Sequence, residues 1–187
     1  MANIKGDPAE GSRAVLTFWF NEVGKEHWWA KDIELDTAIA GRFGALREAV
    51  LASRARGWRE DPETLLAAII LCDQFSRNVH RGNRRAFEAD ALARELTMLA
   101  LERGWDKEMT LERRQIVLMP LQHSEKLADQ ERAVDEYRVL GDKAALKYAL
   151  MHLDQIKRFG RFPGRNRALG RVSTAEEREV IAGGETF

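Results

Sequence analysis

His123-Ser124-Glu125, His152 and the run from Arg158 to Asn166 hold the side chains best suited to chemistry. Imidazole and carboxylate together can do general acid–base work if they converge. His123, Glu125 and His152 are therefore the catalytic candidates. The run Arg158-Phe159-Gly160-Arg161-Phe162-Pro163-Gly164-Arg165-Asn166 sets three arginines and two phenylalanines in one tight turn. No acidic residue occurs from Gln155 to Ala175, whereas Lys157, Arg158, Arg161, Arg165, Arg167 and Arg171 are all basic. Guanidinium forks suit carboxylate or phosphate. Such a turn is built to hold something negative, either carboxylates of this protein or a small anionic ligand. A segment that matches it in part, Asp73-Gln74-Phe75-Ser76-Arg77, lies earlier and pairs with Asp154-Gln155-Ile156-Lys157-Arg158. The ligand-binding candidates are thus Arg77, Arg158, Arg161, Arg165 and Asn166. Asp73 and Asp154 are expected to be buried structural ion pairs, because an unpaired buried charge is too costly. The carboxylate of Phe187 is a rival occupant, since Ala182-Gly183-Gly184 lets the chain fold back.

Metal chemistry has little support. None of the four histidines has Asp or Glu three residues before it, so the Glu-x-x-His pairs of di-iron bundles are absent. His-Glu-x-x-His is absent as well. No metal and no cofactor is expected. Thirty Lys and Arg balance thirty Asp and Glu, which argues against bulk attraction to nucleic acid or an anionic membrane. Arginines interleaved with aromatics can bind single strands, but Phe159 and Phe162 flank a tight turn and are expected to pack beneath it. One cysteine, Cys72, directly follows the apolar run Leu65–Leu71 and reads as a buried thiol. With no signal peptide and no apolar run of ~18 residues, the chain reads as a soluble cytoplasmic protein.

The elements that must position these residues are helical. Asp7-Pro8 and Asp61-Pro62 each combine a cap with proline at the first helical position. The first opens a helix carrying Val15, Leu16, Trp19 and Phe20, and the second opens the almost wholly apolar Leu65–Phe75. A helix apolar all round is buried all round, so this one is expected to be innermost. Between them Ile33 to Arg54 reads as a helix in which Gly41 and Gly44 could allow close approach of a neighbour. Of Trp28 and Trp29, one is expected to pack on the core and the other to edge a groove. Further helices are read at Ala86–Glu102, from Leu111 to a kink or break at Pro120, at Ala128–Leu140, and from Lys143 to about Phe159. Ser173-Thr174-Ala175-Glu176 has the form of a capping box and opens a last short helix. No stretch alternates with period two. The expectation is an all-α chain of seven or eight antiparallel helices stacked as helical hairpins, one domain over 1–187 with residues 1–6 loose.

Three stretches make the sequence recognisable. They are Asp73-Gln74-Phe75 with Arg77-Asn78, Arg81-Gly82, Phe87 and Asp90; His123-Ser124-Glu125 with Leu127 to Arg132; and Arg158 to Asn166 with Leu169-Gly170-Arg171, Ser173-Thr174 and Glu176-Glu177. In that order they resemble the uncharacterised bacterial family called domain of unknown function 924. Phe18-Trp19-Phe20 and Trp29 with Lys31-Asp32 fit as well. Two departures stand out: Ser76, where that family usually has proline, and Gly164, where histidine is common. The resemblance implies a tetratricopeptide-like helical fold and no particular reaction. Two functions remain open. One is a polar Arg/His/carboxylate pocket for a small anion. The other is a scaffold binding a peptide or protein partner, with the Arg and Asp clusters structural. A closed polar pocket would favour the first, an open groove lined by aromatics the second.

Overall fold

The computed structural model describes residues 7–28, 31–184 and 186–187. They form helices and turns, and no strand occurs among the described residues. The fold is all-α. No described helix is long and apolar enough to cross a membrane. The helices pack into two compact units: residues up to Arg81 with Arg85–Val117, and Gly82–Arg84 with Leu118–Phe187. The boundary falls inside a helix, α6 (Leu111–Gln122), so no glycine- or proline-rich linker marks it in the sequence.

The first unit contains α1 (Pro8–Thr17), α2 (Ile33–Ala52), α3 (Pro62–Ile70), α4 (Ser76–Val79) and α5 (Asp90–Glu102). Asp7, Asp32 and Asp61 cap α1, α2 and α3 by accepting backbone N–H bonds, which satisfies donors that a helix start leaves orphaned. Every residue from Thr64 to Ser76 is buried, and α3 packs on both α1 and α5. A π-helical turn, Leu71–Phe75, joins α3 to α4. A second one, Phe18–Val23, continues α1. Phe18, Trp19, Phe43 and Phe75 meet there, with Phe43 5.1 Å from both Phe18 and Phe75. Trp28 stacks on Trp19 at 5.6 Å and donates its indole N–H to the Trp19 carbonyl. Trp29 and residues 1–6 lie outside the described residues. Burial pushes the Cys72 thiol up to about 12, as befits a core position.

Several local expectations need correction. A Cβ at Gly41 or Gly44 would meet open space, so neither glycine serves a close helix contact. The helix expected from Ala86 starts at Asp90, after a short 3₁₀ turn at Arg84–Phe87. α6 runs through Pro120 to Gln122, because a proline this near the end forfeits little of the ladder. The capping box is formed one residue later than expected, by Thr174 and Glu177.

The second unit contains α7 (Leu127–Leu140), α8 (Lys143–Phe159), α9 (Asn166–Leu169) and α10 (Ala175–Ala182). Gly141, at φ 79°, ends α7. Asp142 then caps α8, and the short link packs the two helices as a hairpin. Gly160, at φ 67°, closes α8 and turns the chain into the basic segment.

Candidate functional site

The basic turn wraps two carboxylates of its own unit. Glu125 comes from the junction between α6 and α7. It accepts both terminal nitrogens of Arg171 at 2.8 Å and the Phe162 N–H at 2.9 Å. Burial alone would raise its pKa, but the Arg171 fork and the Phe162 N–H prevail and hold it below the ordinary carboxylate value. A general acid would need the opposite shift. Glu125 is therefore a clamp that fixes the turn.

Glu177, 2 % exposed, sits in the first turn of α10. It takes Arg161 through Nε at 2.7 Å and Nη2 at 2.9 Å, the Thr174 N–H at 2.8 Å and the Asn166 amide at 3.3 Å. These bonds to the charged form, Arg161 first, bring its pKa down to about 2. Arg161 also donates to the Val172 carbonyl. Two of the ligand-binding candidates, Arg161 and Asn166, thus serve an internal carboxylate.

The remaining candidates divide. Arg165 is buried over the Phe162 ring, 4.4 Å from its centroid, and donates to the His123 carbonyl at 2.9 Å. Arg158 is exposed, 3.1 Å from Glu176 and 3.8 Å from Asp154. Arg77 belongs to the first unit, where it lies 3.0 Å from buried Asp73 and 3.1 Å from Asp90. Asp154 overturns its expectation: its side chain is 64 % exposed. The two Asp-Gln segments match in letters and not in setting. The earlier one lies in a helix buried on every side, and the later one in a helix with a solvent face.

His152 is 5 % exposed. Its Nδ1 lies 2.8 Å from the Tyr148 carbonyl, one turn back. The Gln122 amide is 3.1 Å from the same Nδ1. Around the imidazole lie Phe162, edge-on at 5.5 Å, His123 at 6.1 Å and the ring of Phe187, stacked at 3.6 Å. The histidines and Glu125 therefore share a neighbourhood, but it is filled by phenylalanine rings. Phe187 thus lies at the site with its ring on His152 and its backbone oxygen against Gly164.

A feature that the sequence reading missed lies beside it. Lys143, Leu146, Lys147, Leu150, Met151, Asp154, Gln155 and Arg158 follow helical spacing along one face of α8 and, with Val180 and Phe187, line an open groove of about 640 Å³. The signal was present: Ala149, Leu153 and Ile156 are buried on one side of α8, while Leu150 and Met151, at 44 % and 39 % exposure, form a second apolar stripe with no counterpart.

For a metal, one grouping qualifies by distance. Among the described residues Glu48, His80 and Glu88 bring donor atoms within 4.8 Å of one another. Arg47 lies 2.8 and 2.6 Å from the two carboxylates, and Arg85 3.3 Å or less from both. Two guanidiniums already neutralise two carboxylates, so the cluster is an ion-pair network. Burial, then Arg85 and Arg47, depress His80, which is the direction that keeps it neutral there.

No curated protein matches the chain. A solved structure of a protein of unknown function from Agrobacterium tumefaciens superposes on it with a TM-score of 0.90 at 35% identity, covering 95% of this chain and 100% of that one. The pattern of the family described as "Bacterial protein of unknown function (DUF924)" matches residues 15–185. The chain belongs to that family.

Proposed function

We propose that this protein is a tetratricopeptide-like binding module, and that the groove along α8 receives an amphipathic, acidic segment of a peptide or protein partner. The observation that carries this reading is the groove itself: it is open, and its lining combines the apolar Leu146, Leu150, Met151 and Val180 with the basic Lys143, Lys147 and Arg158 and one acidic side chain, Asp154. An apolar face with basic side chains suits a helix whose apolar stripe is flanked by glutamates. Arg161 and Arg171, by contrast, are engaged with Glu177 and Glu125. That supports the structural role for the turn over a small-anion pocket.

The test is fluorescence anisotropy with a labelled helical peptide carrying leucines at i, i+3, i+4 and i+7 flanked by glutamates, and a lysine-flanked control. The acidic peptide is expected to bind, more weakly as salt rises, with at least a tenfold loss in Leu150→Asp and in the Lys143→Glu, Lys147→Glu pair. Equal binding of acidic and basic peptides would refute the reading. So would phosphate or citrate stabilising the parent more than Arg158→Ala, Arg161→Ala, which would restore the anion pocket.

A further inference from the structure

The Phe187 ring that covers His152 also lines the groove. It stacks at 3.6 Å and 24° on an imidazole whose other aromatic neighbours, Phe162 and His123, belong to the scaffold. The ring fills a slot between side chains at buried positions: Phe162 is fully buried and His152 nearly so.

The backbone beside that ring has a seat of its own. A Cβ at Gly164 would come within 2.8 Å of the Phe187 carbonyl oxygen, 3.0 Å of the Thr186 hydroxyl and 3.1 Å of the Thr186 Cβ. Gly164 is not among the glycines with positive φ. Its backbone would accept any L residue, so what glycine supplies here is space. The absent side chain is therefore a notch, and residues 186–187 lie in it. Gly184, at φ 73°, turns the chain on the way there.

We propose that Gly164, His152 and Phe162 form a recognition site for an extended segment carrying an aromatic residue, and that Thr186–Phe187 is its built-in, displaceable occupant. A partner in the groove would gain access to the slot by presenting its own aromatic side chain in place of Phe187. The proposal rests on the groove reading for the partner's route of approach. Its test uses a different probe, so either can fail alone. A tethered segment competes at an effective concentration on the order of mM. An outside ligand must overcome that competition, and removal of the segment should abolish it.

The experiment uses the synthetic peptide Ala-Gly-Gly-Glu-Thr-Phe, the sequence of residues 182–187. It is added to the parent and to a variant lacking residues 183–187, with NMR shifts followed at Phe162, Gly164 and His152. The expected result is saturable binding to the shortened variant and at least tenfold weaker binding to the parent, with no binding of a peptide whose Phe is replaced by Ala. In the parent chain, Gly164→Ala should remove the ring-current shift of Phe187 on His152 while leaving the circular dichroism spectrum unchanged. A peptide that shifts nothing in the shortened variant overturns the proposal. A His152 ring-current shift that survives Gly164→Ala overturns it independently.

Discussion

Glu125 and Arg171 give the most direct measure of whether the basic turn is a clamp. The pair makes two parallel charge-assisted bonds of 2.8 Å. Bonds to charged groups contribute ~1.5–3 kcal/mol each when sheltered. Here the side chains are 24 % and 30 % exposed, so screening trims that figure. A coupling of about 1.5–2 kcal/mol is expected. Glu125→Gln also weakens the acceptor for the Phe162 N–H and should cost about 2.5 kcal/mol, and Arg171→Met about 2 kcal/mol. The double variant should cost about 3 kcal/mol, well short of the two together. Urea unfolding of the four proteins reads this as shifts in midpoint at constant slope. The pH dependence has a definite sign. Because the folded carboxyl lies below the ordinary 4.5, its stabilisation is present above that value and fades as the pH falls through the folded value. The gap between parent and Glu125→Gln should therefore close in acid. Costs that add to within about 0.5 kcal/mol would mean that the pair is not coupled, and the clamp argument would fail.

Asp73, 1 % exposed, should be nearly as demanding: Asp73→Asn leaves Arg77 with Asp90 and a backbone carbonyl, so about 2–3 kcal/mol is expected rather than the full cost of a broken buried pair, seen as a melting temperature lower by roughly 5–10 °C. A variant that melts with the parent would contradict the burial argument. Glu177 supplies a second acid-sensitive contact, present above pH 4.5 and lost as the pH falls through about 2. In Glu177→Gln, amide protection of α10 should be low at neutral pH and change little between those values, whereas retention of the parent's acid profile would assign the transition to another group.

Much of the fold was legible because it is local. Asp-Pro caps, the apolar run of α3 and the Gly141-Asp142 stop-and-start are short-range signals, and the structure uses each of them. The carboxylate partners of the basic turn were harder to read. Glu125 was singled out for its neighbour His123, yet its partners Phe162 and Arg171 are far along the chain, and no periodicity connects them. Asp154 misled because its letters copy those around Asp73, while burial depends on what packs against each face. The groove was missed for a simpler reason. Leu150 and Met151 look like core until the other face of α8 is seen to fill that role.

The π-helical turn at Leu71–Phe75 sets a condition on how this chain can vary. A wide turn accommodates one more residue than an α turn without moving the helix ends along the axis. Drop that residue, and everything downstream rotates by about 100°. Arg77 would swing away from Asp90, and Asn78 away from Asp36, to which it donates at 2.8 Å. Ser76 would leave the buried Arg47, whose Nε it receives at 3.0 Å. The count of residues between the Asp61 cap and Arg77 is thus a phase setting. A substitution along this helix acts at its own position, but a single deletion would misalign the whole row, even if every remaining letter of the motif were kept.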